Sequence, residues 1–304
     1  MYHQPVLLKE SIAGLNIDPN GIYVDATYGG GGHSKLIIKH LTNGKIIAFD
    51  QDKEAEANVI QNDRLIFIRH NFKYMKNFLK YMGFYTVDGI LADLGVSSHH
   101  LNTPERGFSY RFDDVPLDMR MNQNANLTAQ YIINHYHAKN LSEVLKKYGE
   151  IRKTYPLVSA ILKYREKKEI QTAEELVKVL DPFIPVRTKN KFLSRIFQAL
   201  RIEVNREIEN LKAFLQQSLE VLKPQGRLCV ISYHSLEDKL VKNFLKTGNF
   251  EGKIDKDFYG NVYSPFKLIN KKIIMPGKEE IEDNKRARSA RLRIAEKRDK
   301  NEER

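Results

Sequence analysis

The 304-residue chain carries 50 Lys and Arg against 38 Asp and Glu, a formal charge of +12, and a single cysteine, Cys229. One cysteine excludes an intrachain disulfide framework and fits a reducing compartment, so a cytoplasmic location is expected. No stretch approaches the roughly 20 apolar residues of a membrane helix, and the start, Met1 to Pro5, lacks the basic and apolar regions of a signal peptide. The excess of positive charge favours a polyanionic partner, because neutralising phosphates releases counterions.

In chain order, short apolar runs at Ile22–Val24, Lys45–Phe49, Leu65–Ile68 and Val87–Ala92 predict strands. Between them, Lys35–Leu41, Lys53–Gln61 and Phe72–Met82 predict helices, and this alternation implies a parallel sheet with helices on its faces. From about Thr103 to Asn205 the strand signal stops. Helical periodicity takes over at Ala129–His135, Leu141–Tyr148, Leu157–Lys167, Ala173–Leu180 and Lys191–Val204. The alternation then resumes with a helix over Ile208–Leu222, ended by Pro224 and Gly226, a strand at Arg227–Ser232 and a helix near Leu236–Leu245. Strands at Phe266–Ile274 and Ser289–Ala295 are expected to form a hairpin at one sheet edge, and the polar tail Glu296–Arg304 to fray. The expected organisation is therefore an α/β domain made of 1–103 and 206–304, interrupted by an all-helical insertion at 104–205 that recognises the substrate. Cys229, in the apolar run Leu228–Ile231, reads as a core residue.

The first strand runs into a helix through Gly29-Gly-Gly-Gly32, with Asp25 at the strand's end and Asp50 closing the second strand. Glycines let a backbone fold tightly against a ligand, and ligands of open α/β sheets bind at the carboxyl ends of the strands. Gly29-x-Gly31-x-x-Ser34 comes close to a dinucleotide fingerprint, whereas Asp25 suits a methyltransferase loop. Asp50 could accept ribose hydroxyls in either class, so the loop alone leaves both cofactors open. A Walker loop is excluded because no G-K-[ST] follows.

The fourth strand ends in Asp93-Leu-Gly-Val-Ser-Ser-His-His100, which has the character of an active-site loop. If the reaction is methylation of a base amine, the amine's lone pair is delocalised and needs an acceptor beside it. Asp93 is the first candidate for that acceptor and Asp118 the second. His234, at the end of the next strand, is a candidate contact to base or phosphate, with a structural role as the alternative. A base must also leave its stack, and Phe108, Tyr110, Phe112 and Tyr233 are candidate stacking surfaces. His135-x-His137 and His99-His100 lack a third ligand at useful spacing, so no metal site is expected. Basic clusters at Arg187–Lys191, Lys271-Lys272 and Lys285–Arg293 are candidate RNA contacts, with Arg291 and Arg293 on one strand face. Two rival classes are an NAD-dependent oxidoreductase, for which only the glycine loop speaks, and a non-catalytic RNA-binding factor, for which only charge speaks.

Taken together, the motifs resemble a known family, the bacterial 16S ribosomal RNA cytosine-N4 methyltransferases. They are His3-x-Pro5-Val-Leu-Leu8, Asp25-x-Thr27 with Gly31-Gly-His-Ser34, Asp93–Ser98, Glu105–Ser109, Pro116–Met121, Phe197–Ile202 with Val204-Asn205, Ile231–Asp238 and Arg286–Ser289. The resemblance implies a Rossmann-like class I methyltransferase domain with an inserted helical domain. It also implies S-adenosylmethionine as methyl donor, and as substrate the exocyclic N4 amine of a cytidine in the decoding region of the small ribosomal subunit. Cofactor contacts implied by the resemblance fall on Gly31, Gly32, His33, Asp50, Phe72 and Asp93. His100 stands where the family commonly has Gln and can still donate or accept one hydrogen bond in the same contact. Apolar positions on the inserted helices are candidates for a homodimer contact.

Overall fold

The computed structural model describes residues 5–112, 114–254 and 264–299. His3 of the first motif and residues 300–304 of the tail lie outside the described residues. The chain divides into two compact units, 1–95 with 208–304, and 96–207.

The first unit begins with α1 (Leu8–Leu15), β1 (Ile22–Asp25), α2 (Gly32–His40), β2 (Lys45–Phe49), β3 (Leu65–Ile68), α3 (Met75–Tyr81) and β4 (Val87–Asp93). The second unit holds α4 (Ser98–Asn102), α5 (Ala129–His135), α6 (Ala138–Gly149), α7 (Tyr155–Arg165), α8 (Ala173–Leu180) and α9 (Lys189–Asn205). The chain continues with α10 (Glu207–Val221), then β5 (Leu222–Ser232), α11 (Ser235–Thr247), β6 (Phe266–Leu268), α12 (Lys278–Asp283) and β7 (Arg291–Lys297). The seven strands form one sheet in the order β3-β2-β1-β4-β5-β7-β6. All neighbours are parallel except β7, which runs antiparallel to both β5 and β6. This is a Rossmann-like α/β sheet whose order reverses between β1 and β4, where such folds bind their ligands.

β1, β2 and β3 read as largely apolar runs because both faces of the sheet are covered. On one face Val24, Ile47, Ile90 and Val230 pack with Met75 and Leu79 of α3, Phe214 of α10 and Phe244 of α11. On the other, Tyr23, Ile46, Leu91, Cys229 and Ile231 pack with Leu15 of α1 and Ile37 of α2. Cys229 is fully buried, and burial pushes its thiol up to about 12, so it is an inert core residue.

Several elements differ from the sequence expectation. Lys53–Asn58 is a 3-10 turn, started when Asp52 accepts the Glu54 N–H, and it never becomes the expected helix. Phe72–Tyr74 is also 3-10, leaving only Met75–Tyr81 as α-helix. The last strands are joined through α12 and not by a tight hairpin. The expected strand over Phe266–Ile274 stops at Leu268 because Asn270 takes over the ladder. Its amide donates to the Lys272 and Leu292 carbonyls and accepts the Ile294 N–H, and Ile274 returns as a single bridge to Leu292. Glu296 and Lys297 belong to β7, so the tail is ordered further than expected. The strand expected from Arg227 already begins at Leu222, opposite Val87, with an irregularity between Val87 and Gly89.

In the second unit the helices follow the apolar spacing. Leu141 and Leu145 of α6 and Leu193, Ile196, Phe197 and Leu200 of α9 are buried, and α6 packs on α9. A capping box between Thr172 and Glu175 sets the start of α8. Among the described residues no helix is long and apolar enough to cross a membrane.

Candidate active site

β1 delivers the chain into the glycine turn. Gly31 caps α2 at φ +73, a backbone region that side chains disfavour, and a Cβ there would sit 2.6 Å from the Tyr28 hydroxyl. That hydroxyl donates to the Asn58 carbonyl at 2.9 Å and accepts the Ile60 N–H, so Tyr28 cannot easily yield. Around Gly29 the position of a Cβ is open for at least 4 Å. The first-turn N–H groups of α2 have no acceptors within the helix, which leaves donors at the turn beside that open space. Glycine turn and helix start therefore fit an anionic, nucleoside-bearing ligand.

Asp25 does not face this space. It is buried, its Oδ1 accepts the Thr27 N–H at 3.1 Å and its Oδ2 accepts the Ser34 hydroxyl at 2.7 Å. Burial pushes it up to about 6 against these two hydrogen bonds. Its role is to bind strand end to helix start. Asp50 does meet the loop: Oδ2 accepts the Gly29 N–H at 2.8 Å and Oδ1 the Asp52 N–H at 2.9 Å. The carboxylate thus holds the glycine turn and, with further lone pairs, can still accept from a ligand.

His33 is buried in the first turn of α2, its Nε2 3.1 Å from the Val6 carbonyl. Burial lowers its pKa to about 4, so it stays neutral and its Nε2–H ties the N-terminal segment to the loop. Only its backbone is left to meet a ligand. Phe72 is half-buried, with its ring edge-to-face against Phe214 at 5.2 Å.

At the neighbouring strand end, Asp93 is pinned from both sides. Its N–H donates to the Thr27 hydroxyl at 2.7 Å, and the next N–H, of Leu94, donates to the Ile231 carbonyl at 2.9 Å. Its Oδ1 accepts the Tyr233 hydroxyl at 2.8 Å. Asp93 keeps intermediate exposure, yet the surrounding protein desolvates its carboxyl enough to push it up to about 7. The Tyr233 bond lowers that value and the charges of Asp25, Glu237 and Glu280 raise it. A carboxyl balanced near neutrality at a strand end suits proton acceptance. Tyr233 was expected as a stacking surface; here it is buried at its polar tip against Asp93. The signal was its position, one residue past the end of β5.

His234 lies two residues past the end of β5. It caps α11, with the Glu237 N–H donating to its Nδ1 at 3.4 Å and its Nε2 3.1 Å from Glu237 Oε1. Asp118 and His100 belong to the helical unit. Both oxygens of Asp118 are engaged by the Arg120 guanidinium, at 2.8 and 2.6 Å. The His100 ring is buried and stacked on Phe108 at 4.8 Å. Arg291 and Arg293, expected at the RNA, are instead both bound to Asp238 of α11. Lys271, Lys272, Lys285 and Arg288 remain exposed.

The chain matches the MraW methylase family over residues 1–298. The chain belongs to that family. Relatives named ribosomal RNA small subunit methyltransferase H share 56% identity in Parabacteroides distasonis (97% of each chain), 54% in Flavobacterium johnsoniae (97% of this chain, 98% of that one) and 54% in Cytophaga hutchinsonii (98% and 100%). As a family member the chain is a methyltransferase that uses S-adenosylmethionine. Among the readings left open by the glycine loop, this removes the NAD-dependent one.

Proposed function

We propose that the chain methylates the exocyclic N4 amine of a cytidine in the decoding region of 16S ribosomal RNA. The observation that carries the chemistry is Asp93, desolvated to near neutrality and fixed by Thr27 and Tyr233 where the strand order reverses. S-adenosylmethionine, when bound, supplies a methyl group on a positively charged sulfur. The Gly32 and His33 N–H groups would hold its carboxylate, with the Gly31 N–H already given to the Tyr28 carbonyl, while Asp50 would take its ribose hydroxyls and Phe72 its adenine.

In this reading Asp93 accepts a hydrogen bond from the amine N–H, which localises the nitrogen lone pair towards the methyl carbon. As the N–C bond forms, the amine proton becomes acidic and passes to Asp93, whose elevated pKa makes it a competent acceptor. Tyr233 positions that carboxylate. The helical unit serves substrate recognition, and its exposed Tyr131 and Tyr155 are the candidates for a homodimer contact. The reaction belongs in the cytoplasm, where small ribosomal subunits are built.

The test is to map modified nucleosides in small-subunit RNA before and after treatment with purified protein and S-adenosylmethionine. N4-methylcytidine at one decoding-region position, absent with Asp93→Asn, is expected. Methylation of a different atom or none would overturn the reading.

A further inference from the structure

At the opposite end of the sheet from Asp93, a cleft of about 520 Å³ opens between α3, the end of α10 and the end of β7. Its size falls within the roughly 300–1,000 Å³ typical of small-molecule sites. Its walls include Lys80, Tyr85, Lys297 and Arg298. Among the described residues the one acid in the wall, Glu220, pairs with Lys76. Lys80 makes no ion pair among the described residues, and residues 72–86 contain no Asp or Glu. The cleft is therefore net positive.

The aromatic exposure here is the second observation. Tyr85, in the wall with Lys80, is 71% exposed, and Tyr81, next to Lys80 in sequence, is 90% exposed. Tyr74, about two turns before Tyr81, is 39% exposed, with the Lys73 ammonium 4.9 Å above its ring and the His70 ring against it. Burying such a ring is favourable, so the open Tyr85 ring beside Lys80 offers a stacking face to a partner. Lysines interleaved with exposed rings are what an unpaired nucleic-acid strand requires, with cations for its phosphates and a flat face for its bases. A duplex offers no free base face to a tyrosine.

We propose that this cleft is a second RNA site, which takes an unpaired nucleotide with its base on Tyr85 and its phosphate on Lys80 and Arg298. It rests on the reading of RNA as substrate and adds an anchor remote from the reaction. β4 runs seven residues from the cleft end to Asp93, about 20 Å at the usual rise, or roughly six nucleotide steps of a helical strand. The anchor thus holds a strand flanking the target and not the target base.

The test uses the full chain, with a short oligouridylate as probe by fluorescence anisotropy and small subunits as methyl acceptor. Lys80→Glu and Tyr85→Ala should each weaken oligouridylate binding about tenfold, within the range for one stacked base, while Tyr85→Phe stays near the parent. Lys80→Glu should also reduce the salt slope by about 0.7, the value for one phosphate of a single strand. KM for subunits should rise with kcat and S-adenosylmethionine affinity unchanged. Unaltered oligouridylate affinity in both variants would overturn the anchor, as would a parent that sediments as a dimer and variants that sediment as monomers, which would make the patch a self-association face. Failure of the parent to methylate subunits would instead count against the assigned substrate, with oligouridylate binding still deciding the anchor.

Discussion

The Tyr233 hydroxyl donates a 2.8 Å hydrogen bond to Asp93 Oδ1, joining the ends of the adjacent strands β5 and β4 beside the point where the sheet order reverses. The bond favours the ionised carboxylate, opposing the burial that pushes Asp93 up to about 7. If the carboxylate is the acceptor, kcat/KM should rise with pH through about 7. In Tyr233→Phe the rising limb moves to higher pH, because a hydrogen bond to a charged group is worth about 1.5–3 kcal/mol. At pH 7 this costs about tenfold in rate, recovered in alkali. A pH profile of Tyr233→Phe with an unmoved limb would remove Tyr233 from the chemistry.

The same carboxyl should cost the fold stability at working pH. Its folded value, about 7, lies above the ordinary carboxylate range of about 4, so between the two the folded state holds a proton that the unfolded chain has released. That stabilising difference is complete below about 4 and is lost as pH rises through about 7. Asp93→Asn, which keeps an acceptor for Tyr233, should match the parent at pH 4 and exceed it at pH 8. With partial exposure discounted, a gain of about 1 kcal/mol is expected, or roughly 2–4 °C in melting temperature. Thermal denaturation at the two pH values is the measurement. Equal stability at pH 8 would mean that Asp93 is better solvated than its setting implies.

Gly31→Ala tests the cofactor turn. The left-handed backbone costs an alanine about 1–2 kcal/mol, and its Cβ must also displace the doubly bonded Tyr28. S-adenosylmethionine affinity, read by calorimetry, should fall at least tenfold, with the sheet intact by circular dichroism. Unchanged affinity would show that the turn does not touch the cofactor.

What could be read from sequence divides along physical lines. β1 to β4 were legible because strands covered on both faces are mostly apolar, as in residues 46–49 of β2. Lys53–Asn58 was not, since its composition suits a helix and only the Asp52 side chain decides for a 3-10 turn. The helix α12, Lys278–Asp283, buries none of its residues and so shows no periodicity. At the site, the positions of Asp50 and Asp93 could be predicted from strand ends. The inward turn of Asp25 could not, because it depends on Ser34 nine residues later. Arg291 and Arg293 share a strand face as expected, but nothing in their spacing reveals Asp238.

That last arrangement separates structural from RNA-facing arginines. Asp238 Oδ1 accepts Arg293 Nε at 2.7 Å, Oδ2 accepts its Nη2 at 3.1 Å, and Arg291 Nη1 lies 3.3 Å from Oδ2. Asp238 and Arg293 are largely shielded, so removing one leaves a charge poorly solvated. Arg293→Ala should destabilise the fold by about 3 kcal/mol, the lower end for breaking a buried pair, and leave the salt dependence of subunit binding unchanged. Exposed Lys271 and Lys272 should behave in the opposite way. Lys271→Glu with Lys272→Glu should keep the melting temperature and lower the salt slope by about 1 for each lost phosphate contact. Melting curves and salt titrations of the two variants decide the matter. A reduced salt slope in Arg293→Ala at unchanged stability would return that arginine to the RNA surface.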